Sequence, residues 1–135
     1  HSNNSINTFY KDILETIVQI KNEKKININV NIKRKNADDG SPIYTIIKKY
    51  KKKFNYINIL ENDYDILKLL KQNDLSISYP YTTPSFLHSS NFNKKTIFYD
   101  PTQKLLLNHK NKNIFFIGNK NLLKNRIKKI INKNL

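Results

Sequence analysis

Cysteine, methionine and tryptophan do not occur in this chain of 135 residues, and glycine occurs only twice. Without cysteine there is no disulfide framework, no cysteine-type zinc site, no thiol nucleophile and no dithiol redox centre. Two glycines leave no material for a glycine-rich phosphate loop. Three histidines and ten acidic residues supply a histidine-rich metal site poorly. The apolar runs are only a few residues long, far short of the ~20 that cross a bilayer. The N-terminus shows no signal-peptide pattern. The opening His1-Ser2, with no initiator methionine, is read as a trimmed start. It sets the expected location as an organelle lumen (relict plastid, mitochondrion or secretory pathway), with the cytoplasm left open.

What the chain does hold is asparagine, lysine and isoleucine, which make up 65 of its 135 residues. All three have A/T-rich codons, so an A+T-rich genome would place lysine and asparagine on the surface by default. The formal charge is +15, from 25 basic and 10 acidic residues. Only Arg34 and Arg126 are arginines. Phosphate and base recognition favour arginine's bidentate fork, so this lysine bias weakens a nucleic-acid reading. The charge is also uneven. Residues 76–135 carry 11 basic residues and one acidic residue, Asp100, and that asymmetry argues for an acidic partner.

Hydrophobic periodicity gives the elements. Phe9, Ile13, Ile17 and Ile20 predict a helix over 7–21. Ile26, Ile28, Val30 and Ile32 alternate with Asn27, Asn29 and Asn31, a strand pattern. Pro42 opens a second helix, with Ile43, Ile46, Ile47, Tyr50 and Phe54 on one face and lysines over the rest. Tyr56, Ile57, Ile59 and Leu60 predict a short strand. Glu61-Asn62-Asp63 is expected to cap a third helix that holds Ile66, Leu67, Leu69 and Leu70. A long loop with Tyr79-Pro80 and Thr83-Pro84 follows. Residues 96–99 and 105–107 are expected to pair as a hairpin across Pro101, and 114–117 is a further apolar run. A last helix spans 120–134 with Leu123, Ile127, Ile130 and Ile131 on its apolar face. A single domain over 1–135 is expected, with the strands 26–32 and 55–60 as parallel neighbours.

This order resembles a thioredoxin-like domain. Ala37-Asp38-Asp39-Gly40-Ser41-Pro42-Ile43 sits where that family carries its redox motif, and Ala37 and Pro42 match it. Thr83-Pro84-Ser85-Phe86-Leu87 is similar to the family's cis-proline segment, and residues 97–105 to its hairpin. The resemblance implies an α/β three-layer sandwich, a central mixed sheet with helices on both faces. It also implies a cis Thr83–Pro84 bond near the Gly40–Pro42 turn. Gly40 and Ile43 stand in place of the two cysteines, so no thiol–disulfide exchange is available and no enzyme activity is expected.

What the resemblance leaves is a peptide- or partner-binding groove built from Asp39, Gly40, Ser41, Pro42, Thr83, Pro84 and Ser85. The expected function is a non-catalytic protein-binding module: a chaperone-like peptide binder, a scaffold or a subunit of an organellar assembly. The alternative is a ribosomal or other RNA-binding protein. It would use a basic surface of Lys48, Lys49, Lys51, Lys52, Lys53, Lys124, Arg126, Lys128 and Lys129. No cofactor, metal or membrane span is expected. Other groupings are weaker. His88 with Ser89 and Ser90 lacks an acid to complete a triad, and Asp38, Asp39, Asp63 and Asp65 read as turn and cap residues. Aromatic Tyr79, Tyr81 and Phe92 on the long loop suit either an interface or packing onto the core.

Overall fold

The structure, a computed structural model, describes residues 3–33, 42–60, 64–78, 93–102 and 112–133. The chain divides into two compact units, His1–Tyr64 and Asp65–Leu135.

The first unit runs helix, strand, helix, strand: α1 (Asn3–Lys24), β1 (Val30–Ile32), α2 (Pro42–Lys53) and β2 (Ile57–Ile59). Helix α1 stops where Lys25 turns to φ 52°, a left-handed residue that ends helical bonding. Its Leu14 packs with Ile32, Ile43, Ile47 and Ile57 into one apolar cluster. Ile43 and Ile47 lie one turn apart on α2, so the spacing read from sequence is the spacing that is buried. Pro42 stands at the first helical position, where its missing N–H costs nothing.

Strands β1 and β2 pair in parallel, Val30 opposite Ile57 and Ile32 opposite Ile59, with α2 as the connection. The ladder is extended by Val30 N–H donating to the Tyr56 carbonyl and Leu60 N–H to the Ile32 carbonyl, both at 2.9 Å. The parallel pairing is as expected, but only Val30–Ile32 of the alternating run is strand. The partner strand is three residues long, so the residues before Val30 have no ladder to join. The Ile26 carbonyl instead accepts from Lys21 Nζ at 3.0 Å.

The second unit begins with α3 (Ile66–Gln72) and ends with α4 (Lys120–Lys133). Between them lie β3 (Leu75–Ser78), β4 (Lys95–Tyr99) and β5 (Ile114–Ile117), in the order β3-β4-β5. Both pairings are parallel. Helix α3 is capped by Asp65, whose Oδ1 accepts from the Leu67 and Lys68 N–H groups at 3.0 and 3.4 Å. The cap is therefore Asp65 and not the Glu61–Asp63 stretch, because a capping oxygen must lie within two or three residues of the N–H groups it receives.

Strand β4 is the centre of this unit. Thr96, Ile97, Phe98 and Tyr99 are all buried, and each such side chain is worth roughly 1.5–3 kcal/mol of apolar transfer for the larger ones. The Thr96 hydroxyl is satisfied by Ser76 Oγ at 3.1 Å across the ladder. Phe98 stacks against Phe116 of β5 at 5.3 Å between centroids.

The expected hairpin is corrected by this arrangement. Residues 95–98 pair with β3 on one side and 96–99 with β5 on the other, so β4 has no free edge for an antiparallel partner. In place of one central mixed sheet the described residues form two sheets, of two and three strands, each wholly parallel. The α/β class stands.

Candidate functional site

Parallel strands all end at the same edge of a sheet, and open α/β sheets place ligands outside that carboxyl edge, at the point where the strand order reverses; the order β3-β4-β5 does not reverse among the described residues, so the edge is a candidate for the segments it gathers. In the second unit three chain segments leave there. The chain leaves β3 at Ser78. It leaves β4 into Asp100-Pro101-Thr102, and β5 into Gly118-Asn119 and then α4.

Asp100 follows the last residue of β4 and is 1% exposed. Its N–H donates to the Ile117 carbonyl at 3.0 Å, tying this turn to the end of β5. Its Oδ1 accepts from the Thr102 N–H at 2.9 Å and from the Thr102 hydroxyl at 2.6 Å. A carboxylate held by two donors is a charge-assisted pairing. It folds Asp100–Thr102 back on itself where the chain leaves the strand.

Asn119 plays the matching part beside it. Its Oδ1 accepts from the Leu122 N–H at 2.9 Å, an N-cap interaction that starts α4 at the sheet edge. Behind the edge, α4 is anchored by buried Leu123, Ile127 and Ile130 and by Arg126, whose guanidinium lies 4.2 Å from the Phe115 ring centre. The opposite edge is also closed. Lys95 Nζ donates to Asn113 Oδ1, and Asn113 Nδ2 donates to Asn93 Oδ1, each at 2.7 Å.

Of the partner-binding residues expected from sequence, Pro42 alone is described, exposed at the start of α2. Asp39, Gly40, Ser41, Thr83, Pro84 and Ser85 lie outside the described residues, as do the Thr83–Pro84 bond, residues 105–107 and the loop aromatics. The basic surface falls into two groups on different units. Lys48, Lys49, Lys51, Lys52 and Lys53 are all exposed on α2, while on α4 Lys124, Arg126 and Lys128 are half-buried and Lys129 is exposed. Among the described residues no three His, Asp or Glu side chains gather as metal ligands, and no helix is long and apolar enough to cross a membrane.

Sequence reasoning missed Asp100 and Asn119 as site residues. The signal was present: an unbroken apolar strand followed directly by a carboxylate, and an asparagine one residue after Gly118.

The family model for polysaccharide biosynthesis PFTS motif proteins matches residues 1–127. The chain belongs to that family. No curated protein and no solved structure matches the chain. Membership replaces the thioredoxin-like resemblance, together with the reading of the chain as a redox-inactive thioredoxin relative. That resemblance rested on element order and a few loop residues, while the cysteines that would have been diagnostic are absent. The polysaccharide family's pattern runs through nearly the whole chain.

Proposed function

We propose that this chain serves polysaccharide biosynthesis, and that it works through the carboxyl edge of the β3-β4-β5 sheet. Family membership over residues 1–127 carries the first half of this reading. The convergence of Ser78, the Asp100–Thr102 turn and the Asn119 cap at one sheet edge supports the second.

The family's description names a PFTS motif. Taken as residues, Pro-Phe-Thr-Ser has a near counterpart in Pro80-Tyr81-Thr82-Thr83. The differences are a ring hydroxyl on the second residue and a methyl on the fourth. In sequence this string begins two residues after Ser78, where the chain leaves β3. It carries three hydroxyl side chains, on Tyr81, Thr82 and Thr83, which can both donate and accept hydrogen bonds, as recognition of sugar hydroxyls requires.

Asp100 acts in this reading as a positioning residue. Buried and bonded to Thr102, it holds the Asp100–Thr102 turn at the sheet edge and does not itself reach a ligand. The missing cysteines exclude thiol chemistry and bear on no other reaction.

The test is deletion of the gene in its own host, with total and cell-associated polysaccharide measured by monosaccharide analysis after acid hydrolysis. The expected result is loss or altered composition of one polymer, restored by the intact chain. Unchanged polysaccharide on deletion would overturn the reading.

A further inference from the structure

Within the first unit, α1 and α2 enclose an open groove of about 340 Å³, lined by Glu15, Val18, Gln19, Lys49, Tyr50, Lys53 and Phe54. That lies at the small end of the range for ligand sites, about 300–1,000 Å³. We propose that this groove binds an anionic glycan segment, with Lys49 and Lys53 taking its acidic group. The proposal rests on the polysaccharide reading for its choice of ligand class.

The lining suits that ligand for separate reasons. Tyr50 and Phe54 lie 6.0 Å apart at a 31° tilt, half-buried against the core and with Lys53 Nζ 5.5 Å from the Phe54 ring centre, so with Val18 their exposed parts give the groove an apolar wall for a sugar's C–H groups beside a cation. The lining adds an amide at Gln19, a carboxylate at Glu15 and the ammonium groups of Lys49 and Lys53. Together these give donors and acceptors for hydroxyls and two cations for a carboxylate. Lys49 and Lys53 are four residues apart on α2, so they stack on one side of the helix. Lys48, Lys51 and Lys52 are exposed around them, and the summed field raises the local concentration of anions.

Other polyanions fit this shape less well. A planar anionic bilayer would meet whichever lysines face outward and would need no groove. Single-stranded RNA is held by stacking bases and by arginine's bidentate fork on phosphate and base edges, and the lining of this groove has lysines and no arginine.

The experiment is an ¹⁵N NMR titration of the full chain with a galacturonic acid hexamer at low salt. Maltohexaose, vesicles of phosphatidylcholine and phosphatidylserine, and a uridine 12-mer are titrated in parallel. The expected result is saturable shifts at Val18, Gln19, Lys49 and Lys53 with the acidic hexamer. Lys49→Gln with Lys53→Gln should weaken it at least tenfold, and Lys48→Gln with Lys52→Gln less than threefold. Equal binding of maltohexaose overturns the anionic class. Equal losses from the two double variants overturn the groove, and saturation by vesicles or RNA without the hexamer assigns the lysines to those partners. The deletion experiment is scored separately, so hexamer binding without a polysaccharide defect keeps the site and removes the function.

Discussion

The Asp100 carboxylate accepts both the backbone N–H and the hydroxyl of Thr102, at 2.9 and 2.6 Å, while itself 1% exposed. Removing the hydroxyl leaves a buried charge with one donor fewer. Thr102→Val is expected to cost about 1.5–3 kcal/mol. Urea unfolding checks this. A change below a few tenths would mean that the bond contributes nothing to holding the turn.

Helix α4 starts at the sheet edge through one side-chain bond, from the Leu122 N–H to Asn119. Asn119→Ala should lower stability by about 1 kcal/mol, and Asn119→Asp should preserve it. Thermal melts of the three proteins decide this. Equal melting of the alanine and asparagine forms would show the cap to be idle.

Phe98 is fully buried in the central strand and meets Phe116. Phe98→Ala is expected to cost about 3–5 kcal/mol through lost transfer and an unfilled cavity. Phe98→Leu should cost less. A loss below 1 kcal/mol for the alanine form would show that β4 is not the centre of the second unit.

The titration of Tyr56 is displaced by its surroundings. Desolvation by burial raises its pKa above the usual 10.0. The unfolded chain therefore releases this proton at lower pH than the folded one. Stability from this group is complete below about pH 10 and falls as pH rises beyond it. Tyr56→Phe should flatten that decline, measured as the difference in unfolding free energy between the two proteins from pH 9 to 11. Parallel curves would contradict the displacement.

Much of the fold was legible, and the misreadings have physical causes. Helices α2 and α4 followed from isoleucines and leucines at three- and four-residue spacing, because one buried stripe is enough to specify a helix. Leu75-Ser76-Ile77-Ser78 alternates apolar and polar, a strand signal that the reading of this stretch as the start of the long loop passes over; at four residues it is the shortest run that carries the pattern. Strand β4 was read as half of a hairpin from the Pro101 turn. Its buried run from Thr96 to Tyr99, with no polar-out alternation, is the mark of a central parallel strand. The candidate site was hardest to see. A strand's carboxyl edge is a property of pairing between segments far apart in sequence, and Asp100 draws its role from Ile117 and Thr102.

Polysaccharide synthesis is expected to depend on the carboxyl edge of the β3-β4-β5 sheet. The most direct measurement is polysaccharide made per cell in a host whose own copy carries Asp100→Asn, with chain abundance followed by immunoblot. Asparagine keeps the shape and weakens the charge-assisted bonds to Thr102. Output is expected to fall below about a fifth of that of the unmodified host at equal chain abundance. Unchanged output at equal abundance would contradict it.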